Sequence, residues 1–221
     1  MAGHLYLRRI VVSPFETNCY IVADPVSLDA LIIDPGDEAG VISDAVCAGG
    51  LLIRGIVNTH GHADHIAGNG ALKGQFGCPI MIHELDAPYL TDAEANLSAM
   101  AGYGGALSPA ADRLLKDGDE IVVGSLIFRV AHTPGHTPGG MCLLAEGFVF
   151  SGDTLFAGSV GRTDLPRGSH EQLIESIKNN LLVLPDDTAV YPGHGPETTI
   201  GVERRTNPWL ADTEATFEDG G

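Results

Sequence analysis

The sequence is poor in basic residues. Twelve lysines and arginines stand against 29 aspartates and glutamates, which gives a formal net charge of −17. Binding to a nucleic-acid backbone or to an anionic membrane surface depends on clustered Lys and Arg side chains. The composition therefore argues against nucleic acid and against a membrane as partners, whereas an acidic chain can still hold cations.

Long apolar runs and paired cysteines are also lacking. No segment approaches the roughly 20 apolar residues that a bilayer-spanning helix needs, and MAGHLYLRRIVVSPFE has no stretch typical of a secretory signal. The four cysteines are scattered without a CxxC pair: Cys19, Cys47, Cys78 and Cys142. Scattered cysteines in a chain of this size indicate reduced thiols rather than a disulfide framework. We therefore expect a cytoplasmic protein.

What the sequence does have is alternating secondary structure. Apolar residues make up 44% of the 221 residues, enough for a sizeable core. Short β-rich runs alternate with helix-like segments in both halves, without a composition break. This pattern predicts an α/β fold in which two sheets face each other with helices outside. We expect one domain over residues 1–210 and a frayed acidic tail over residues 211–221.

Residues 84–117 interrupt this alternation. The segment carries helix-like material that is broken by several glycines and by Pro109. Two interpretations stay open, a lid over a functional site and a surface excursion that packs its own apolar face.

Ligand-type side chains are crowded at the end of one β-rich run. The stretch THGHADH places His60, His62, Asp64 and His65 within six residues. His60 and His62 are two apart in extended chain, so both rings project to the same side and can reach one ion. Asp64 and His65 follow at the start of a helix, at an angle that suits a second ion. Imidazole and carboxylate ligands suit zinc, iron and manganese.

Three further segments end a β-rich run with a ligand-type side chain in a glycine-rich loop. HTPGHTPGG presents His136, FVFSGDTLF presents Asp153, and YPGHGPE presents His194. A rigid strand that ends in such a loop directs a side chain towards a site. A carboxylate such as Asp153 can bridge two ions that are about 3.5–4 Å apart.

The remaining histidines are not expected to bind an ion. His4, His83 and His170 lack the strand-then-glycine context and are interpreted as solvated or hydrogen-bonded side chains. His132 lies four residues before His136, but the intervening Pro-Gly excludes a helix that would align the two rings. We expect His132 to be a core histidine or to orient a ligand.

The motifs together resemble the metallo-β-lactamase superfamily. THGHADH matches its HxHxDH signature, and IIDPG, HTPGHTPG, SGDTLF and YPGHG match its other motifs in the same order. The resemblance runs from about Val12 to Leu210 and implies an αββα four-layer sandwich. It also implies a binuclear site, with His60, His62 and His136 on one ion, Asp64, His65 and His194 on the other, and Asp153 as the bridge.

Within this superfamily the chain is most similar to short members of the glyoxalase II (hydroxyacylglutathione hydrolase) branch. True β-lactamases of this fold generally lack the bridging Asp153, and flavo-diiron proteins have glutamate in place of His62. GSVGRTDLPRGSHEQLIESI and GHGPETTIGVERRTNP carry the likeness to the branch. Full-length glyoxalase II has a C-terminal helical domain that holds glutathione, whereas here only residues 195–221 follow His194. The glutathione contacts therefore do not carry over.

The resemblance implies a metal-dependent thioesterase. Two divalent ions, with zinc expected and iron or manganese as alternatives, would hold a bridging hydroxide near neutral pH that attacks the thioester carbonyl. A thiolate leaves with little help from an acid, which agrees with the lack of an extra general acid among the motifs. The expected substrate is an S-acyl glutathione or a related small-molecule thioester, and Asp64 and Asp153 are the expected catalytic residues.

Three more residues are candidates, beside His132, for supporting the ligands. Asp34 in IIDPG is expected to hold the metal-binding loops in place. Arg162 and Asp164 in GRTD either pair beside the site or form a plain surface pair.

Two other functions stay open. Persulfide dioxygenases of the superfamily share the seven residues but use one iron on the equivalents of His60, His136 and Asp153, a set that leaves positions for oxygen. They tend to have an alanine and HDY where this chain has YPGHGPE, which favours the hydrolase. A non-catalytic metal-binding protein is disfavoured because no ligand is missing, and weak lactamase activity is compatible with the motifs. The sequence leaves monomer and dimer open.

Overall fold

The computed structural model describes residues 5–103, 105 and 108–211 of the chain. Two six-stranded sheets make up most of the regular structure. His4 and all but the first residue of the expected acidic tail lie outside the described residues.

The strands of the first sheet lie side by side in sequence order. They are β1 Tyr6–Val12, β2 Thr17–Ala23, β3 Asp29–Ile33, β4 Leu52–Asn58, β5 Ile80–His83 and β6 Arg113–Leu115. The first two pairings are antiparallel and the other three are parallel. Parallel neighbours need crossover connections. The connection from β3 to β4 contains α1 Ala39–Gly49, and the connection from β4 to β5 contains α2 Ala63–Ile66 and α3 Asn69–Phe76.

The second sheet is built from the C-terminal half of the chain. Its strands are β7 Glu120–Val123, β8 Leu126–His132, β9 Met141–Ala145, β10 Phe148–Gly152, β13 Ala189–Pro192 and β14 Thr198–Thr199, and β11 Leu155–Phe156 pairs with β12 Ser159–Val160. Helix α4 His170–Ser176 continues into a π-helical turn, Ile177–Leu181, and α5 spans Ile200–Thr206. No helix in the described part of the chain is long and apolar enough to cross a bilayer.

Alternating burial along the strands produces three apolar layers. In β2, Cys19 and Ile21 face the helices α1 and α3, whereas Tyr20 and Val22 face the second sheet. In β10, Val149 faces α4 on the far side. Successive side chains of a strand point to opposite faces of its sheet. Each sheet therefore packs against a layer of helices on one face and against the other sheet on its opposite face. The predicted αββα sandwich is confirmed.

Local signals explain where the helices begin and end. Ser169 caps α4, because its side chain accepts a hydrogen bond from the Gln172 N–H. The stretch HIAGNGALKGQF belongs to two helices, α2 and α3. The helical conformation is interrupted at Gly68, whose N–H donates a hydrogen bond to the Pro35 carbonyl at 2.8 Å. That bond ties the end of α2 to the IIDPG turn.

The described residues of the 84–117 segment contain less helix than the composition of that segment suggests. It has a 3-10 helix at Ala87–Thr91, a series of turns, and then the strand β6. The expectation of helical material broken by glycines is therefore only partly correct. Strand β6 is three residues long, too short for a periodic pattern, and is defined by its pairing with β5.

Candidate metal centre

All seven predicted ligands meet at one edge of the two sheets. Each lies in the loop after a strand or in the short helix that follows one, so the sheets fix the backbone position from which each side chain projects. His60 and His62 follow β4, Asp64 and His65 lie in α2, and His136, Asp153 and His194 follow β8, β10 and β13.

Three groups of ligand atoms lie close enough to share an ion. The groups are His60, His62 and His136, then His60, His65 and Asp153, then Asp64, His65 and His194, each with its atoms within 4.8 Å of one another. The first and third are the two sets predicted from the sequence. The Asp153 carboxylate lies between them, since its oxygens are 3.5 Å from His136 Nε2 and 3.6 Å from His194 Nε2.

Hydrogen bonds at the outer ring nitrogens orient the histidines. Nδ1 donates to an oxygen in three of them: His65 to Asp34 at 3.0 Å, His136 to the Arg162 carbonyl at 2.7 Å, and His194 to the Phe15 carbonyl at 3.0 Å. A carbonyl or carboxylate oxygen only accepts, so the proton resides on Nδ1. When the ring is neutral, each Nε2 lone pair faces the cluster, as a metal ligand requires.

Two buried atoms of the cluster have no hydrogen-bond partner among the described residues, His60 Nε2 and Asp153 Oδ1. A buried polar atom without a partner costs free energy unless a ligand satisfies it. Space is also kept open, because a Cβ on Gly193 would lie 2.8 Å from His65 Cε1. Five imidazoles and two carboxylates suit divalent ions such as zinc, iron or manganese. The residues therefore fit a metal centre.

Burial and mutual charges control protonation in the cluster. Burial, then the neighbouring imidazoles, hold the pKa values of His60 and His62 well below the usual range. His65 behaves oppositely: burial disfavours its charge, but the carboxylates of Asp64, Asp153 and Asp34 raise its pKa to about 10. A metal ion must displace that proton, so metal binding weakens as the pH falls.

Asp34 fixes the loop that carries the first ligands. Its Oδ1 accepts the Thr59 N–H at 2.7 Å, and its Oδ2 accepts the Thr59 hydroxyl at 2.7 Å and the His65 Nδ1–H. Its own backbone is in the left-handed region, with φ of 51°. Asp34 thus lies behind the predicted ligands and contacts one of them, His65, directly.

Arg162 and Asp164 form an exposed pair at the edge of the site. Two hydrogen bonds, 3.0 and 2.8 Å long, join the guanidinium to the carboxylate, and both side chains are 69% exposed. Arg162 holds His136 through its backbone carbonyl and not through its side chain.

His132 is one step further from the ligands. Its Nε2 lies 2.9 Å from the Pro138 carbonyl, in the loop that carries His136. Its ring stacks on that of His83, with the ring centroids 4.1 Å apart. His132 is thus half-buried and contacts the loop that carries His136, and its role in orienting that predicted ligand stays a prediction.

The stacked pair predicts a pH-dependent stability. Burial and His132 lower the pKa of His83 from 6.5 to about 4, so the unfolded chain takes up the proton first. The free energy of unfolding should therefore decrease as the pH falls from about 6.5 towards 4. In metal-loaded protein, His83→Gln should lose about 2–4 °C less in Tm than wild type between pH 7 and pH 5. His170→Gln, at an exposed histidine, is the control, and equal losses in all three proteins would contradict the prediction.

A buried carboxylate that the sequence analysis missed joins two ligand loops. Asp86 is 0% exposed, and its oxygens accept the Gly61 N–H at 3.0 Å, the Thr137 hydroxyl at 2.7 Å and the Gly139 N–H at 2.6 Å. Gly61 lies between His60 and His62, and Thr137 follows His136. The only signal in the sequence was its place shortly after β5, the strand-end position that the ligands share.

The last ligand loop is fastened to the first hairpin. The Asn18 N–H donates to the Gly193 carbonyl at 2.7 Å, and the Asn18 amide donates to the Pro192 and Gly195 carbonyls at 2.9 Å each. The Tyr20 hydroxyl also donates to the Pro192 carbonyl, at 2.8 Å. The position of His194 therefore depends on β2.

A cleft of about 580 Å³ opens above the cluster. Five of the predicted ligands form its floor: His62, Asp64, His136, Asp153 and His194. The walls are mainly apolar and include Phe15, Leu97, Met100, Phe156, Leu165 and Pro166. Leu97 and Met100 belong to the 84–117 segment, so part of that segment borders the site.

Comparison with known proteins finds a matching family and relatives that span most of the chain. The family model of the Metallo-beta-lactamase superfamily matches residues 12–194. The probable metallo-hydrolase YqgX of Bacillus subtilis is 36% identical over 92% of this chain and 96% of its own length. The hydroxyacylglutathione hydrolase GloC of Haemophilus influenzae is 37% identical over 92% of this chain and 97% of its own length.

Solved structures resemble the chain over similar lengths. The BLEG-1 B3 metallo-beta-lactamase has a TM-score of 0.89 and 37% identity, covering 93% of this chain and 100% of that one. TTHA1623 in a di-iron-bound form has a TM-score of 0.81 and 39% identity, covering 92% and 100%. ETHE1 from Myxococcus xanthus has a TM-score of 0.78 and 32% identity, covering 92% and 83%.

Proposed function

The chain belongs to the metallo-β-lactamase superfamily and resembles a probable metallo-hydrolase, and we propose that it is a cytoplasmic binuclear enzyme that hydrolyses small-molecule thioesters. One observation carries the proposal: seven ligand-type side chains converge beneath an open cleft, and two buried atoms among them, His60 Nε2 and Asp153 Oδ1, have no hydrogen-bond partner in the described part of the chain. The likeness to a hydroxyacylglutathione hydrolase supports a thioester such as an S-acyl glutathione as the substrate.

We assign the first set, His60, His62 and His136, to one ion, the second set, Asp64, His65 and His194, to the other, and Asp153 to both. Bound divalent ions supply an acidic water and polarise a carbonyl oxygen. Zinc is the first candidate, and iron is a strong alternative because TTHA1623 has a di-iron-bound form; manganese also suits the ligands.

The cleft itself supports a thiolate leaving group. Among its described lining residues, Asn96 and Arg162 are the polar side chains other than the predicted ligands. Neither is an acid that protonates a leaving group at neutral pH. A thiolate departs without such help, whereas an amine or an alkoxide needs a general acid. Asp64 also lines the cleft; burial raises its pKa but the neighbouring His65 lowers it further, so Asp64 is a carboxylate and not an acid that could protonate the leaving group.

The test is hydrolysis by protein of known metal content. We expect about two ions per chain and S-lactoylglutathione hydrolysis with a kcat of about 1–100 per second. The matched oxygen ester should react far more slowly, because its leaving group needs an acid. One iron per chain, with oxygen uptake that depends on glutathione persulfide and no thioester hydrolysis, would overturn the proposal.

The second candidate is a mono-iron persulfide dioxygenase. His136 Nε2 lies 3.5 Å from Asp153 Oδ2, and the rings of His60 and His136 are 4.8 Å apart, so the two-histidine, one-carboxylate set is present. The likeness to ETHE1 is compatible with either function. The complete second set of Asp64, His65 and His194 favours the hydrolase. Weak hydrolysis of β-lactams is a further expectation, given the likeness to BLEG-1.

A further inference from the structure

We propose that the cleft selects its thioester through an uncharged apolar arm, and that it does not recognise the charged groups of a peptide thiol such as glutathione. This inference rests on the proposed thioester hydrolysis and names the substrate class for it. Two features carry it, the distribution of cations around the cleft and the apolar wall above the ligands.

Cations that could bind a carboxylate are scarce at the cleft. All twelve lysines and arginines of the chain lie within the described residues. Of these, Arg162 lines the cleft, and both sides of its guanidinium fork already bind Asp164. Arg167, the next cation along this segment, interacts with Tyr89. Carboxylate recognition depends on free Arg or Lys donors, so the two carboxylates of glutathione find no ready partner here.

The other cations paired with carboxylates are not among the described residues that line the cleft. Ion pairs with Asp or Glu side chains elsewhere in the protein are formed by Arg54, Lys73, Lys116, Arg204 and Arg205. The whole chain also carries a formal charge of −17, which opposes the approach of an anionic substrate. These side chains therefore provide no long-range electrostatic attraction for an anionic substrate.

Apolar side chains are left uncovered above the ligands. Met100 is 86% exposed and Phe15 is 47% exposed, and both line the cleft. Leu97, Phe156 and Leu165 continue the wall from three different segments. Apolar surface that lines a concave site gains free energy when an apolar ligand group covers it. The wall thus fits an alkyl or aryl group attached to the reacting thioester.

Leu97 is held in place by its neighbours. Its φ of 65° is in the left-handed region that bulky side chains rarely adopt. The preceding Asn96 is buried, and its amide donates to the Tyr89 carbonyl at 2.8 Å. The Asn96 carbonyl accepts the Ala63 N–H at 2.9 Å, between the ligands His62 and Asp64. The backbone therefore fixes an apolar side chain at a set place beside the metal-binding loop, in a conformation typical of functional sites.

A matched thioester series tests the inference. Straight acyl chains from acetyl to hexanoyl are attached to glutathione and to N-acetylcysteamine, an uncharged thiol, and acetyl is attached to thiols from methanethiol to hexanethiol. We expect kcat/KM to rise about threefold per methylene in the acyl or the thiol series. For the same acyl group, the two carriers should differ by less than about threefold, with no dependence on salt.

The outcomes separate this inference from the proposed function. Glutathione thioesters that react at least tenfold faster than their uncharged partners, or rates that stay flat in both series, would overturn the inference but leave a thioesterase. Failure to hydrolyse any member of the panel would overturn the proposed function itself.

Leu97→Asn gives a second, independent test. Asparagine tolerates the left-handed backbone, so the substitution removes apolar surface without forcing the loop to move. We expect kcat/KM for the hexanoyl thioester to fall at least fivefold, while the acetyl thioester and the metal content change little. Val122→Asn, at a 62% exposed position in β7, is the matched control. An equal loss for acetyl and hexanoyl substrates in Leu97→Asn would overturn the role of the wall.

Discussion

Replacing Asp153 by alanine should reduce the bound metal from about two ions per chain to one or none, and should slow thioester hydrolysis on the order of 10³-fold. The reason is the position of the carboxylate, whose oxygens are 3.4 Å from His65 Nε2 and 3.5 Å from His136 Nε2, in both predicted ligand sets. Metal analysis by mass spectrometry and single-substrate kinetics on the same preparations measure the two effects.

The control for that experiment is Asp164→Ala. Asp164 is an exposed carboxylate near the same site that touches Arg162 and none of the ligands. Its removal should leave metal content unchanged. An Asp153→Ala protein that still binds two ions would contradict the bridging role, whatever its activity.

Replacing Asp86 by alanine should lower the free energy of unfolding by about 3–5 kcal/mol. Three buried donors, on Gly61, Thr137 and Gly139, would lose their common acceptor. At about 2–4 °C per kcal/mol for a chain of this size, Tm should fall by about 10 °C. Thermal unfolding of metal-loaded protein measures the change, with Asp164→Ala as the exposed comparison.

The same substitution should weaken metal binding about 10–100-fold, because groups that hold ligand loops contribute to metal affinity. Titration against a chelator of known affinity measures this second effect. Lower stability with unchanged metal affinity would show that Asp86 holds the fold together without positioning the ligands.

The predicted ligands could be picked out from the sequence because each carries a local signal. His136, Asp153 and His194 all follow a β-rich run and stand next to glycine, and the structure brings them to the His60–His65 cluster. The two facing sheets followed from the alternation of short apolar runs with helices. These features depend on residues that are close together in the chain.

What the sequence did not reveal depends on residues far apart. Asp86 contacts groups that are 25, 51 and 53 residues away, and nothing around it forms a motif. Strand β6 has three residues and is set by its pairing with β5, about thirty residues earlier. The split between α2 and α3 comes from a bond between Gly68 and Pro35 in a distant turn. Tertiary contacts decided each of these.

The attachment of the last ligand loop to β2 bears on the order in which the protein assembles. The bonds from Asn18 and Tyr20 to residues 192–195 join groups that are 172–177 residues apart. Contacts between such distant parts of a chain form late, because a long loop must close first. During synthesis the His60–His65 cluster therefore emerges well before His194 can join it. The full set of predicted ligands is therefore assembled only when β2 and the loop that carries His194 come together.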